Sequence, residues 1–566
     1  MGTALLVLAA TGASLATLLG AVDDRRAPHV LRASILAAWV AVALLVVALV
    51  RVDTSLELVV AHTRPGLNAA RRVMGLWGGS EGSLLFFAAV IGTALASVTP
   101  RTRVGRTAAP LAPAALLWAS AVVASPFERL DVPAIAGSGL SPILEHWAML
   151  IHPPLLYAGL ALALVPALLD GDRPTDRVTR AAVAVLTAAL ALGGRWAYTE
   201  LGWGGWWAWD PVENAALIPW FLLIAHLHLP STHTLSRWAA LLVWPAVFAG
   251  SAMTRTSLRT SVHAFANADD IGWFLWPLTA AVSIGAVLAG TRLPRSHRPH
   301  DRRSIPIAIA FFCALVVALG TYRPFLPGEA TDGTFFARYL WPVAIVASVG
   351  LGLAPATRSV RAKGWTRPVM LASVGALIGL TAAVGVGFTI WWQLVHATAL
   401  GAGAAGLALA RDRRQSLAHF GLWLVLAGAL GGTASTQQTF ELPPGARRVV
   451  DGHTIENTDL ELRGENPAVL TATVRVDGEP LTPSLAIHPE RALRLPEVDT
   501  TGDPFEDVQV ILRSADDDGS MLLTVNVEPL ANWVWIGAGL ITLAMFAPPR
   551  TRSRARADVT SEVSPS

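Results

Sequence analysis

The sequence predicts an all-α polytopic membrane protein, with about 15 transmembrane helices and a small β-rich extracytoplasmic domain before the last helix. Three observations predict it. Of 566 residues 53% are hydrophobic and only 15% charged, against about a quarter charged in soluble domains. The apolar residues come in blocks of roughly 17–25, the length that crosses a hydrocarbon core of about 30 Å. The arginines sit in short clusters between those blocks, as they do in cytoplasmic loops. The net charge of +3 therefore does not point to nucleic acid.

Taken along the chain, the first block, Thr3 to Val22, lacks a basic leader and is followed by DDRR. It reads as a retained span rather than a cleaved signal peptide. Arg25/Arg26, Arg101/Arg103/Arg106, Arg173/Arg177/Arg180 and Arg292 to Arg303 fall on alternate sides of successive spans. So do Arg358/Arg361/Lys363/Arg367, Arg411/Arg413/Arg414 and the tail Arg550 to Arg556. One orientation makes all of them cytoplasmic: N-terminus outside, C-terminus inside. The single cysteine, Cys313, lies in the apolar run IPIAIAFFCALVVALG and reads as a small buried hydrophobe. The chain has no disulfide and no CxxC or haem-attachment motif, so any thiol chemistry uses another protein's thiols.

Residues 1–434 form the transmembrane core. From 435 to 532 segments such as TATVRVDG, DVQVILRS and MLLTVNVEP alternate apolar and polar residues between Gly, Pro and Asp. That is the pattern of a small β domain, outside by the topology. A last span occupies 533–548, and the polar tail 549–566 reads as disordered and cytoplasmic.

Four conspicuous stretches share the outer side. The most unusual is LGWGGWWAWDPVENAALIPW, with Trp203, Trp206, Trp207 and Trp209 inside seven positions. Membrane proteins scatter tryptophan singly along an interfacial belt; four together among glycines fit a platform for a flat ligand. Asp210, Pro211 and Glu213 form a capping-box pattern, so an irregular loop feeds a new helix. His152, in LIHPPLLY, precedes a proline and sits at a kink or helix start. His263, in SVHAFA, lies in the loop before another span. Both match the tryptophan segment in depth, and imidazoles from two sides can ligate a haem iron.

Two histidines lie deeper. His228 is about 20 Å along a helix from Ala215, and His419 follows the cytoplasmic Arg414; both fall in the inner half of the membrane. Ionisable groups there are costly and are functional candidates. His226, two residues from His228, points about 200° away, so only one of the two serves a common partner.

The segment ELGWGGWWAWDPVENA resembles the WWD signature of haem-handling proteins, and the chain as a whole resembles the CcmF-type cytochrome c haem lyase subunits. LWGGSEGSLLFF, HPPLLY, TRTSLRTSVHAF, HPERALRLPEV and VEPLANWVW extend the resemblance over about residues 60–545. It implies a lyase that takes haem from the chaperone CcmE and joins its vinyl groups to the CxxCH thiols of apocytochrome c, beside CcmH and CcmI in a bacterial plasma membrane. His152 and His263 would ligate the haem being processed, over a catalytic segment of Trp203, Trp206, Trp207, Trp209 and Asp210. His228 and His419 would hold a permanent haem b that keeps the processed iron reduced, with quinol as a candidate reductant; the resemblance favours His228 over His226. Arg255 matches a family arginine suited to a haem propionate or to a structural role. Ser80 stands where the family carries a histidine, and Arg259 adds a charge to its stretch. A non-catalytic haem carrier and a proton-coupled secondary transporter are the alternatives; the tryptophan cluster disfavours the transporter.

Overall fold

A computed structural model describes residues 1–547 except 101, 170–171, 201, 203–204, 257–268, 294–303, 324–330, 364–365, 386–389, 408–412, 465–466 and 490–492. Trp203, His263, Arg259 and the polar tail therefore lie outside the described residues.

The first helices are α1 (Gly2–Ala21), α2 (Ala27–Arg51), the short α3 (Glu57–His62) and α4 (Ala69–Met74), α5 (Ser80–Ala96) and α6 (Arg103–Trp118). Next come α7 (Ala148–Leu164), α8 (Asp172–Glu200), α9 (Pro211–Leu227), α10 (Thr234–Met253), α11 (Asp269–Thr291) and α12 (Ser304–Tyr322). α13 (Gly333–Lys363), α14 (Thr366–Gly385), α15 (Trp391–Leu407) and α16 (Arg413–Gly431) lead to the strands, and α17 (Ala531–Phe546) ends the fold. Among the described residues ten helices are long and apolar enough to cross a membrane, and four shorter ones are apolar as well. The chain is a multi-pass membrane protein.

Most helices pack on their neighbours in sequence. The exception that matters is α17, which lies against both α16 and α8. Glycines let the α16–α17 backbones meet: a Cβ on Gly537 would stand 2.5 Å from the Gly421 carbonyl. Close approach through small residues is how helices associate where lipid removes the hydrophobic drive. In α7, Pro153 has no N–H and cannot bond the Met149 carbonyl four residues back. Trp77 fills that vacancy, its Nε1 donating to the Met149 oxygen at 2.7 Å.

The β domain has β1 (Thr436–Leu442), β2 (Arg447–Val450), β3 (His453–Arg463), β4 (Ala468–Val476), β5 (Glu479–Leu481) and β6 (Ser484–His488). β7 (Leu493–Glu497), β8 (Asp499–Gly502), β9 (Glu506–Ala515) and β10 (Met521–Pro529) complete it. One sheet runs β1-β10-β9-β8 and the other β2-β3-β4-β6-β7, with β5 on β4; every pair is antiparallel. Phe440, Ile455, Val474, Val508, Val510, Leu512, Leu523 and Val525 fill the space between them. β1 and β10 pair from Thr436↔Val527 to Leu442↔Met521, so the domain's two connections to the helices emerge side by side.

β9 alternates as the sequence reading expects, but neither face meets water along most of its length. Val508, Val510 and Leu512 enter the domain core, while Asp507 and Gln509 on the other face are also buried. That second face is seated on the helices.

Candidate functional site

The deep histidines come together. His228 caps the C-terminus of α9 and His419 lies on α16; their rings are nearly parallel, 9° apart in plane, with centroids 6.4 Å apart. An imidazole nitrogen sits about 2 Å from a metal that it binds, so a separation of this order leaves room for one metal ion that both histidines would hold. His228 Nδ1 lies 2.7 Å from the Ile224 carbonyl. A carbonyl only accepts, so Nδ1 carries the proton and Nε2 keeps its lone pair, the arrangement common to metal-ligating histidines. His226 turns the other way, as the 200° argument requires. Its Nδ1 lies 2.8 Å from both the carbonyl and the hydroxyl of Ser236, and the hydroxyl reaches the His226 carbonyl at 3.1 Å. His226 ties α9 to α10.

His152 is the fifth residue of α7, immediately before Pro153. Its Nδ1 meets the Ala189 carbonyl at 3.0 Å, which again leaves the lone pair on Nε2. Its ring rests on Gly193 of α8, where a Cβ would stand 2.5 Å from Cε1. On the next residue, Gly194, a Cβ would stand 3.1 Å from the Trp206 carbonyl and 3.5 Å from the Trp535 ring. One Gly-Gly step of α8 therefore seats a candidate ligand and the tryptophan loop side by side. Two glycines inside a helix cost roughly 0.5–1 kcal/mol each; that cost is the overlooked sequence signal of a close approach.

The loop ends as the capping pattern predicts. Asp210, buried, accepts from Val212 N at 2.8 Å, Pro211 begins the helix, and Glu213 accepts from the backbone N–H of Asp210 at 3.2 Å and of Ala208 at 3.1 Å. Among the described residues its indoles, Trp206, Trp207 and Trp209, do not form one flat platform. Trp206 and Trp207 are tilted 56°, Trp207 and Trp209 stand at 81°, and Trp206 meets Trp535 edge-on at 81°. Trp209 adopts φ +59° and stacks on Phe336 of α13, centroids 4.4 Å apart and 7° from parallel. The positive φ turns Trp209 away from its neighbours and onto α13. The indole N–H of Trp207 is buried with no hydrogen-bond partner among the described residues.

Arg255 is buried at the end of α10. Nη1 donates to the carbonyl and hydroxyl of Ser251 (3.1 and 2.8 Å) and Nη2 to the Ser83 hydroxyl (3.1 Å), while Nε has no partner among the described residues. A buried guanidinium with no carboxylate partner among the described residues is costly and suits an incoming anion. Ser83 belongs to the SEGS segment that opens α5, which brings the early motif to the same place. Ser80 is buried there too. Behind the loop, His146 and Glu200 approach to 3.4 Å. Burial pulls His146 down, and Glu497 of β7 opposes that.

Residues 170–249 match the family described as Cytochrome C assembly protein. Over the whole chain, the cytochrome c-type biogenesis protein ccl1 of Rhodobacter capsulatus is 31% identical, with 89% of this chain and 87% of that protein covered. NrfE of Escherichia coli (strain K12), a probable cytochrome c-type biogenesis protein, is 29% identical over 87% of this chain and 89% of its own. CcmF of the same organism is 27% identical over 89% and 88%. A solved structure titled Cytochrome c Heme Lyase CcmF superposes with a TM-score of 0.75 at 23% identity, covering 96% of each chain, and so shares the fold. With whole-chain sequence similarity and fold in agreement, the chain belongs to the CcmF family of cytochrome c-type biogenesis proteins.

Proposed function

We propose that this chain is the haem lyase subunit of c-type cytochrome maturation, with a resident haem b between His228 and His419 and a second, substrate haem at the tryptophan loop. The parallel histidine pair carries the reading. Both rings are half-buried among apolar helices, and the proton on His228 Nδ1 leaves its Nε2 ready for iron. The resident haem would supply an electron that keeps the substrate iron reduced.

At the loop, His152 would hold the substrate iron from one side and His263, outside the described residues, from the other. Arg255 suits a propionate, and Trp206 and Trp207 would shield the porphyrin from water. Trp203 is the fourth tryptophan of the proposed catalytic segment; Trp209 and Asp210 support it through α13 and α9. Thioether formation adds a cysteine S–H across each vinyl C=C. A C–S bond forms at the carbon next to the ring and the proton ends on the terminal carbon, with no net oxidation. Cys313 is buried in a span, so both thiols come from apocytochrome c. Holding vinyl and thiol together beside the indoles would supply much of the acceleration. The haem donor would be CcmE and the apocytochrome would arrive with CcmH and CcmI, with quinol as a candidate reductant. The arginine clusters support an orientation in the bacterial plasma membrane with loop and β domain outside and the tail in the cytoplasm.

The test is co-expression with the maturation partners and a CxxCH reporter, read as covalent haem on a gel. Replacing His152 and His263 by Ala should abolish the product, and an unchanged product sinks the reading. Haem retained without any covalent product would favour a carrier instead. A colourless purified protein would favour a transporter.

A further inference from the structure

The β domain touches the tryptophan loop through one polar face of β9. The last carbonyls of any helix lack partners within it, and α8 ends just before the loop. Gln509 Nε2 donates to the Tyr198 carbonyl at 2.9 Å and Val498 N to the Thr199 carbonyl at 3.3 Å. Arg513 Nη2 donates to the Gly202 carbonyl, inside the loop, at 2.6 Å. Three donors of the β domain thus finish α8 and catch the chain as it leaves. Gly202 has φ +59°, and a Cβ there would meet Pro496 at 3.2 Å and Ile511 at 3.4 Å, so the backbone lies directly on the sheet.

The donors are themselves fixed. Arg513 Nε is bonded to the Thr524 hydroxyl at 3.0 Å, which meets that of Thr439 on β1 at 2.9 Å. Gln509 Oε1 accepts from Asn526 Nδ2 at 3.1 Å, its directly opposite residue on β10. Asp507 accepts from Tyr198 OH at 3.2 Å and Asn532 Nδ2 at 2.7 Å, with Arg195 at 3.9 Å. Buried polar groups are costly unless bonded, so these contacts fix how the domain meets the end of α8 and the start of the loop. Tethering is already provided by β1 and β10.

We infer that Arg513 and Gln509 are positioning residues: the β domain acts as the C-terminal cap of α8 and sets where the tryptophan loop begins, keeping Trp206 in register with His152 across the Gly193–Gly194 step. The inference rests on the reading of that loop as the substrate haem site, but its first readout is independent of haem.

The test uses the full chain in detergent, as Arg513→Ala, Gln509→Ala and Arg513→Lys. Amide exchange is followed over Gly205–Asp210 and over β1 and β10, and binding at the loop is followed by titration with haemin. Arg513→Ala should speed loop exchange about tenfold, the loss of one charge-assisted bond, while β1 and β10 stay protected. Haemin at the loop should weaken by a similar factor, with the His228/His419 band unchanged, and Arg513→Lys should recover most of both effects. Unchanged loop exchange overturns the inference. So does loss of protection in β1 and β10 together with the loop, which would make Arg513 a support of the domain alone. A loosened loop with undiminished haemin affinity overturns it as well. A wild-type protein that takes no haemin at the loop sinks the functional reading instead.

Discussion

His226 and His228 differ by two positions and by everything that surrounds them. His226 is bonded on both its ring and its carbonyl to Ser236, whereas His228 faces His419. Replacing His226 with Ala should cost about 1–3 kcal/mol, the penalty for stranding buried partners, seen as a lower thermal midpoint with the reduced b-type α-band intact. His228→Ala should abolish that band with far less effect on the midpoint of the haem-free protein. Helical geometry made the divergence of the two rings legible, but which of them faced a partner depended on α16, nearly two hundred residues on. Gly193 offers a second test. A methyl there would press on the His152 ring, so Gly193→Ala should weaken haemin at the loop about tenfold or more, roughly the cost of losing a well-placed contact, and leave the His228/His419 band untouched. The Gly-Gly pair was plain in the sequence; its meaning needed the partner helix.

At the level of elements, the start of α9 was legible because capping is local: Asp210, Pro211 and Glu213 specify it within four residues. Asp210→Ala should cost about 1 kcal/mol, measured as a lower unfolding midpoint, and should loosen the loop at its far end. The β domain was legible as strands, since alternation has a period of two, but alternation does not say what each face meets. The second face of β9 meets α8 and β10 beside it reaches α16, and both strands carry buried acids. Burial raises Glu528 to about 7, with repulsion from Asp507 adding and a bond from Ser435 opposing. A carboxyl whose folded value lies above its unfolded one binds more protons when folded, so its contribution favours the folded state below about 4.5 and fades as pH rises toward 7. Glu528→Gln should therefore flatten the stability of the β domain between about pH 4.5 and 7, read as thermal midpoints across that range. His453 titrates to the opposite charge but with the same sense. Burial opposes its proton, yet bonds to Asp477 (2.7 Å) and Glu506 (2.8 Å) prevail and raise it. Its contribution is complete below about 6.5 and is lost as pH climbs through the raised value.

For the molecule as a whole, apolar block length and arginine spacing carried the fold class, because bilayer thickness constrains every span alike. The proposed orientation rests on the same charges. A phosphatase fusion to the β domain should be active and one to the C-terminal tail inactive; the reverse pattern would invert the proposed topology. The surroundings of the tryptophan loop were less legible, since the groups that touch it come from elements far apart in the chain: Phe336 on α13, Trp535 on α17 and Arg513 on β9. The placement of α17 against α8 has a consequence for biogenesis. Ribosomes deliver the N-terminal spans first, so the tryptophan loop leaves the translocon long before the helix and strands that restrain it exist. Until β9 and α17 arrive, a nascent chain has that loop held on the Phe336 side alone, and loading of the proposed substrate haem would wait for them.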